Sequence, residues 1–225
     1  MHIKTGLGLR QKFQRIRVIG KKKIFCIGRN KTGTTSLAAE MKNLGYIVGH
    51  QRTAEMLFDD WVKRDFSRII KYCRTAQFFQ DSPFSLPYTF IVLDQAFPGS
   101  KFILTIRNDA EEWYESLIRF HGKKWGNGNI PPTSEDLKNA TYIYRGFPYD
   151  SSILTYRVPE NDPYNKDVLI EHYNTHNQNV RDYFRHRSDD LLTINLKNSS
   201  DYGRFCDFLG ISQKKSCFPW KNRSQ

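Results

Sequence analysis

The sequence predicts a single α/β domain in which helices flank a mostly parallel central sheet. Short apolar runs of strand length alternate along the chain with longer segments whose apolar residues recur at helical spacing. The run at 101–106, KFILTI, is apolar almost throughout, which is typical of a central parallel strand buried on both faces. A chain of 225 residues is long enough to bury a substantial core as one domain.

The first strand is predicted at 24–27, and it leads through a loop at 28–33 into a helix. The apolar face of that helix is formed by Leu37, Ala38, Met41 and Leu44. The N–H groups of a first helical turn and the helix dipole both favour an anion at this position. The arrangement therefore predicts an anion-binding loop, with an unrelated glycine turn before a helix as the alternative.

The loop nearly matches the nucleotide-binding pattern G-x-x-x-x-G-K-[ST]. Gly28, Gly33 and Thr35 fit the pattern, whereas Thr34 occupies the lysine position and the lysine lies inside the loop as Lys31. Kinases and NTPases use the lysine after the glycine on the β- and γ-phosphates. The displaced positive charge therefore indicates a related loop with a different ligand.

The segment from Lys31 to Ser36, KTGTTS, resembles the 5′-phosphosulfate loop of sulfotransferases that use 3′-phosphoadenosine 5′-phosphosulfate (PAPS), which reads K-[ST]-G-[ST]-[ST]. The resemblance implies a P-loop-like sulfotransferase fold, PAPS as donor, its product PAP (adenosine 3′,5′-bisphosphate), and no metal. It makes Lys31 a catalytic residue that stabilises charge on the leaving oxygen. The cofactor-binding residues that it implies in the loop are Arg29, Asn30, Lys31, Thr32, Gly33, Thr34, Thr35 and Ser36.

The remaining elements follow from apolar spacing, helix caps and breakers. In chain order the sequence predicts a short strand at 46–48, helices at 53–61 and 66–73, a strand at 76–80, a helix at 87–97, the strand at 101–106, a helix capped by Asp109, a loop at 122–133, an irregular stretch at 146–163, a long helix that opens at Asp162, a strand at 191–195 and a helix at 202–209.

Asp81 follows the strand at 76–80, and ligands of open α/β sheets bind outside the carboxyl ends of the strands. The segment Asp81-Ser82-Pro83 resembles the D-x-P motif of bacterial-type sulfotransferases, which makes Asp81 the candidate general base. A turn or cap aspartate before proline is the alternative. His50 is the other candidate base, although an ordinary polar loop residue explains it equally well.

The segment KFILTIRNDAEEWYESL is the second point of resemblance. In sulfotransferases the arginine at the end of this strand and a serine on the next helix bind the 3′-phosphate, which assigns those roles to Arg107 and Ser116. The usual spacing is eight residues, but here it is nine. An extra residue in the 108–109 turn keeps Ser116 in the site, whereas one in the helix rotates it by about 100°.

The acceptor is not identified by the sequence and is expected to be a small molecule, a carbohydrate or a lipid. The stretch at 146–163 either lines an acceptor cleft or makes a surface excursion. The side chains that would face such a cleft are Arg145, Tyr149, Tyr156 and Arg157. The adenine contact is unassigned: Leu37 stands where other sulfotransferases place a stacking tryptophan, and Phe218 and Trp220 either stack on adenine or dock on the core.

The net charge of +12 is partly local, because residues 1–23 carry eight Lys or Arg and no acidic residue. We expect a basic N-terminal arm at 1–22, part of which pairs with the first strand as a hairpin, and a catalytic domain at 23–225. The four widely spaced cysteines, the lack of a signal peptide and the lack of a membrane-length apolar run favour a reduced, cytoplasmic protein.

The same sequence features are also compatible with two other functions. A P-loop small-molecule kinase would use the same loop with Mg²⁺, and a non-enzymatic protein could bind nucleic acid or anionic surfaces through the arm. Neither accounts for Lys31 and Arg107 together, and nucleic acid is therefore an unlikely partner. His172 and His176 have the spacing of a metal pair, but no third ligand lies at a recognised offset, so packing is favoured.

Overall fold

The structure is a computed structural model that describes residues 16–219. Its centre is a sheet in which all strands are parallel, in the order β2-β1-β3-β4. The strands are β1 (Ile24–Cys26), β2 (Phe78–Phe79), β3 (Lys101–Thr105) and β4 (Leu191–Ile194). The predicted α/β fold with a parallel sheet flanked by helices is confirmed.

Helices cover the sheet and connect its strands. In chain order they are α1 (Thr34–Asn43), α2 (Gln51–Glu55), α3 (Phe58–Val62), α4 (Ser67–Cys73), α5 (Thr89–Ala96), α6 (Ala110–Trp125), α7 (Ser134–Asn139), α8 (Phe147–Tyr156), α9 (Lys166–Phe184) and α10 (Ser200–Leu209).

Strand β1 contributes to the core on both sides of the sheet, which explains its continuous apolar sequence. On one face Phe25 stacks between Phe79 and Phe102, with ring centroids 5.5 Å apart in each pair. On the other face Cys26 packs in a cluster with Leu37 of α1. Because β1 has a partner on each side, its carboxyl end opens at the middle of the sheet.

The prediction that residues 146–163 are irregular is wrong, because α8 spans Phe147–Tyr156. Gly146 precedes it with φ 87°, a backbone conformation that glycine adopts without a Cβ clash, and Pro148 stands in its first turn. The composition of the segment suggested a loop, but its glycine and proline are the start signals of a helix.

The long helix begins at Lys166 rather than at Asp162, so the predicted start is wrong. Asp162 instead closes a turn, since its carbonyl accepts from the N–H of Asn165 at 3.1 Å. Asn165 is the N-cap, and its side-chain oxygen accepts from Val168 N at 3.2 Å.

The structure also differs from the predictions for three shorter segments. Residues 46–48 make a single parallel bridge, Val48 to Phe78, rather than a strand. The segment 53–61 is divided between α2 and α3. Helix α6 continues to Trp125, past Gly122, at which the predicted loop would begin. Gly122 lies inside the helix, where the lack of a side chain lets Ile130 pack closely against it.

The predicted hairpin between the arm and the first strand is wrong for the described part of the arm. Both edges of β1 are already paired, with β2 and β3. Residues 16–22 instead place Val18 in a buried position, while Ile16 and Ile19 are exposed. Within residues 16–219 the structure contains no helix that is both long and apolar enough to cross a membrane.

Gly28 follows β1 and lies against Thr105, the last residue of β3, and we expect Gly28→Ala to destabilise the fold. An added Cβ would lie 2.6 Å from the backbone nitrogen of Thr105 and closer still to its carbonyl oxygen. Since backbone cannot move aside as a flexible side chain can, the loss should be about 1–3 kcal/mol or more. The measurement is the free energy of unfolding in urea.

Gly203→Ala is the matched control for that experiment. Gly203 lies inside α10, and its added Cβ would be 3.4 Å from the end of the Gln213 side chain. Alanine in a helix interior should stabilise by about 0.5–1 kcal/mol. Equal effects of the two substitutions would show that backbone crowding at Gly28 is unimportant.

Candidate active site

A cleft of about 310 Å³ opens where β1, β2 and β3 end. The loop after β1, the first turn of α1, the segment after β2 and the end of β3 supply one side of it. Helices α2, α6 and α8 and the side chain of Tyr142 supply the rest. Its lining includes most of the residues predicted from sequence: Asn30, Lys31, Gly33, Thr34, Thr35, Ser36, Asp81, Arg107 and Ser116. This agrees with the rule that open α/β sheets bind ligands at the carboxyl ends of their strands.

The loop after β1 presents its backbone to the cleft at the start of α1. Gly33 is the N-cap with φ 99°, and an added Cβ would come within 3.0 Å of the Leu196 side chain. Glycine is therefore required both by the backbone angle and by space. The first N–H groups of an α-helix have no acceptor within the helix, so those at the start of α1 can bind an anion.

The side chains of Arg29 and Thr32, two residues predicted to bind the cofactor, do not line the cleft. The Arg29 guanidinium is buried, donates to Ser85 O at 2.6 Å and lies 5.1 Å from the centre of the Tyr156 ring. The Thr32 hydroxyl lies 2.6 Å from both Arg29 O and Thr105 Oγ1. Both side chains hold the loop in place from beneath.

Lys31 stands at the top of the loop with φ 68°. Its ammonium lies 3.2 Å from the centre of the Phe120 ring, a cation–π contact. Burial lowers the pKa of Lys31 to about 8, the charges of Arg107 and Lys124 act in the same direction, and Asp81 opposes them. The group is therefore mostly charged at neutral pH and can lose its proton in the alkaline range.

Asp81 lies at the end of β2 with φ 60°, a left-handed conformation that aspartate tolerates better than most residues. Its carboxylate accepts from Ser82 N at 2.9 Å. Burial raises the pKa of Asp81, and the Ser82 N–H and the charges of Arg29, Lys31 and Lys124 partly oppose that effect. A carboxylate so placed can accept a proton from a group bound in the cleft.

The other candidate base, His50, is not among the residues that line the cleft. It is the N-cap of α2, where its Nδ1 accepts from Thr53 N at 3.3 Å. The interpretation of His50 as a local structural residue therefore fits the structure better.

Arg107 joins the two halves of the predicted site. Its Nε donates to Lys31 O at 2.7 Å, and its Nη2 lies 3.4 Å from Ser116 Oγ. The nine-residue spacing thus keeps Ser116 beside Arg107. This contact fits an extra residue in the 108–109 turn before α6, where Asp109 caps the helix by accepting from Glu112 N at 2.7 Å.

The Glu112 side chain contacts Asn108 rather than the backbone N–H of the N-cap residue Asp109. Glu112 Oε2 accepts from Asn108 N at 3.3 Å and from Asn108 Nδ2 at 2.7 Å. Glu112 also forms an ion pair with Arg107 at 3.3 Å. The side chain therefore stabilises the turn before the helix and the arginine at the strand end.

The far wall of the cleft is a chain of hydrogen-bonded polar side chains that sequence reasoning missed. Gln80 donates to Gln51 at 3.0 Å, Gln51 donates to Glu55 at 3.3 Å, and Tyr142 donates its hydroxyl to Glu55 at 2.8 Å. Burial raises the pKa of Glu55, and the nearby charge of Asp81 adds to this. No motif joins these residues, because they come from segments distant in sequence.

Of the four side chains proposed for an acceptor cleft, the structure places only Tyr156 in the lining. Tyr149 donates to Glu160 O at 3.3 Å and Arg145 contacts Asn139 at 2.5 Å, both away from the cleft. Arg157 lines a separate cavity. The aromatic lining comes instead from Phe120, Trp125, Tyr142 and Phe147.

Two further expectations concern the C-terminal segment and the histidine pair. Phe218 is buried and packs against Tyr202 and Phe205, so it docks on the core, whereas Trp220 lies outside the described residues. His176 Nε2 donates to Ile27 O at 2.8 Å, a packing role beneath β1. Within residues 16–219 no group of three or more His, Cys, Asp and Glu side chains has the arrangement of a metal site.

Comparison with known families gives a match that covers most of the chain. The family model described as a sulfotransferase domain matches residues 23–225 of the chain, and therefore includes every residue placed in the cleft. No curated protein matches the sequence at a significant level.

Proposed function

The chain belongs to the sulfotransferase family, and we propose that it transfers a sulfuryl group from PAPS to a hydroxyl or amine acceptor, releasing PAP. The observation that carries the donor assignment is the 2.7 Å hydrogen bond from Arg107 Nε to Lys31 O. It joins the loop at the start of α1 to the Arg107–Ser116 pair, so two sites suited to anions adjoin in one cleft. PAPS carries a phosphosulfate on the 5′ position of its ribose and a phosphate on the 3′ position, so each of the two sites would hold one anionic group.

The residues present fit such a donor. The backbone N–H groups at the start of α1 and the hydroxyls of Thr34, Thr35 and Ser36 would hold the 5′-phosphosulfate. Arg107 has guanidinium protons beyond the three contacts it makes, and with the Ser116 hydroxyl it would hold the 3′-phosphate. Asn30 contributes to the same rim, where its carbonyl accepts from Trp113 Nε1 at 2.8 Å.

When bound, PAPS supplies an activated sulfuryl group whose transfer leaves PAP. The Lys31 ammonium lies at the top of the loop, where it can stabilise negative charge on a leaving oxygen more strongly as that charge grows. Asp81 takes the proton of the acceptor, since its carboxylate is held in the same cleft by Ser82 N.

We propose that the transfer needs no metal ion. Lys31, Arg107 and Lys124 together bring three cationic side chains to the cleft, and their charge can take the place that Mg²⁺ has in phosphoryl transfer. An assay with and without a chelator measures this directly, and loss of activity with the chelator would contradict it.

The acceptor would enter at the end of the cleft formed by Glu55, Tyr142, Lys124 and Trp125. This end of the cleft combines aromatic faces with one carboxylate and one ammonium group. It is therefore suited to a small molecule, a carbohydrate or a lipid headgroup that presents hydroxyl or amino groups. The acceptor is identified by incubating the protein with labelled PAPS and a panel of candidate acceptors from these three classes, and measuring which of them takes up the label.

The proposed donor is tested by calorimetry of PAP binding in the absence of Mg²⁺, followed by label transfer from PAPS. Micromolar PAP binding without the metal supports the proposal. Magnesium-dependent ATP binding without PAP binding would identify a kinase instead. Salt-sensitive binding of nucleic acid, lost on deletion of residues 1–22, together with no PAP binding would identify a non-enzymatic binder.

Arg107→Ala should weaken binding of PAP by about 10²-fold, because a charge-assisted bidentate contact to the 3′-phosphate is lost. Adenosine 5′-phosphosulfate lacks that phosphate, so its affinity should fall much less. Both ligands are measured by calorimetry on the same protein.

Ser116→Ala is the second variant, since it leaves the hydrogen bond between Arg107 and Lys31 intact. It should also weaken PAP selectively, by about fivefold, as expected for one hydrogen bond to a charged group. Equal weakening of both ligands in both variants would contradict the 3′-phosphate assignment.

A further inference from the structure

One carboxylate oxygen lies between two cations at the edge of the cleft. Glu112 Oε1 contacts Arg107 Nη1 at 3.3 Å and also makes a short ion pair with Lys197 Nζ. Lys197 comes from the segment after β4, so this pair brings a fourth strand end next to Arg107. Arg107 lines the cleft, whereas Glu112 and Lys197 lie behind it and are not part of the lining. Sequence reasoning assigned no role to either Glu112 or Lys197 in ligand binding.

The position of this oxygen is fixed from its other side. Glu112 Oε2 is held by Asn108 through both the backbone N–H, at 3.3 Å, and the side-chain amide, at 2.7 Å. Asn108 Oδ1 in turn accepts from Asn195 Nδ2 at 2.7 Å. These hydrogen bonds hold the carboxylate in the turn between β3 and α6, so few rotamers are open to the Glu112 side chain.

The three charged side chains are shielded from water to different degrees. The side chain of Arg107 is 17% exposed, that of Glu112 is 21% exposed, and that of Lys197 is 40% exposed. Burial lowers the pKa of Arg107, and Glu112 opposes this. Burial alone would raise the pKa of Glu112, but the hydrogen bond and charge of Lys197, with Asn108 and Arg107, bring it below its usual value.

The neighbouring acid shows that this arrangement is not a general property of the first turn of α6. Glu111 points away, forms an ion pair with Lys166 at 2.7 Å, and has a side chain that is 59% exposed. An anion near a helix N-terminus is favourable at either position. Only Glu112 places its charge between the cation predicted to bind the 3′-phosphate and a second cation.

We propose that Lys197 is a further residue of the 3′-phosphate site, and that the Glu112 carboxylate occupies the position that a phosphate oxygen would take between Arg107 and Lys197. This inference rests on the proposed function, because it names the ligand of the same site. Glu112 thereby acts as an internal competitor that weakens binding of any ligand with a 3′-phosphate, including the product.

The physical reason is that a single pair of cations cannot fully satisfy two anions. A phosphate that approaches Arg107 and Lys197 is repelled by the carboxylate and must share or displace its contacts. The same carboxylate keeps a partly buried arginine paired and correctly placed, which avoids an uncompensated charge.

The test compares PAP with adenosine 5′-monophosphate, which lacks the 3′-phosphate, by calorimetry at low salt. Glu112→Gln keeps the size of the side chain and an oxygen that can accept from Asn108. It should tighten PAP by roughly five- to tenfold and leave the monophosphate within about twofold. The gain should shrink at high salt, because screening reduces the repulsion that was removed.

Glu111→Gln is the matched control, since it removes the same charge one residue away without touching Arg107. It should change PAP affinity by less than about twofold. Lys197→Met is the second variant and should weaken PAP by roughly tenfold with little effect on the monophosphate. Thermal unfolding of each variant shows whether it is folded.

Weaker PAP binding in Glu112→Gln would overturn the inference, because it would make Glu112 a support for Arg107 rather than a competitor. Unchanged PAP binding in both Glu112→Gln and Lys197→Met would also overturn it while leaving the proposed function in place. No PAP binding by the unaltered protein would instead remove the proposed function and the inference with it.

Discussion

Lys31→Ala should lower kcat by about two to three orders of magnitude, because it removes a positive charge that stabilises the leaving oxygen in the transition state. Affinity for PAP should fall by no more than about fivefold, since the backbone N–H groups at the start of α1 remain. Steady-state kinetics with labelled PAPS, together with calorimetry of PAP, separates the two effects. Lys42→Ala, an exposed lysine on α1, is the control and should be silent.

The pH dependence offers an independent check on Lys31. Burial lowers its pKa to about 8, and the proposed role needs the charged form, so kcat/KM should fall as pH rises through about 8. Lys31→Arg keeps a positive charge and should move this alkaline limit to higher pH even if its maximum is lower. Unchanged turnover in Lys31→Ala, or an alkaline limit that does not move in Lys31→Arg, would contradict the assigned role.

Asp81→Asn should lower kcat by about 10²- to 10⁴-fold, because the amide cannot take the proton of the acceptor. The amide oxygen can still accept from Ser82 N, so the backbone at this position should be retained. Affinity for PAP should stay the same or rise, since a negative charge near the anion sites is removed. Asp59→Asn on α3, whose side chain is exposed, is the control.

Burial raises the pKa of Asp81, and only its deprotonated form accepts a proton. Activity should therefore fall as pH drops toward a limit above the usual range of aspartate, and this acidic limit should disappear in Asp81→Asn. Glu55 is the other carboxylate in the cleft. If Glu55→Gln abolishes turnover while Asp81→Asn retains it, the base is Glu55 and the assignment of Asp81 is wrong.

The features that were predicted well are those whose signals lie close together in sequence. The loop from Gly28 to Gly33 follows directly from an apolar strand and precedes an amphipathic helix. Arg107 and Ser116 lie on adjoining elements, so their spacing alone limits where each can point. Local propensity and local geometry agree at these positions, which is why the sequence was sufficient there.

The features that were missed depend on contacts between distant segments or on a competing local signal. Glu55 meets Tyr142 across 87 residues, and Arg29 turns beneath the loop because Ser85 O, 56 residues away, accepts from it. Helix α8 was overlooked because its Gly146 and Pro148 read as loop residues. In each case the side-chain type was compatible with several roles, and only the packing of the chain selected one.

The hydrogen bond between Arg107 and Lys31 also bears on which nucleotides the protein can distinguish. Trp113 donates to Asn30 O from the same helix that carries Ser116, and its ring stacks on Tyr173 at 4.7 Å. These contacts tie α6 and the loop after β1 into one rigid frame. The interval between the two proposed anion sites is then set by the backbone. Under the proposed function, nucleotides would therefore be selected by the spacing of their charged groups.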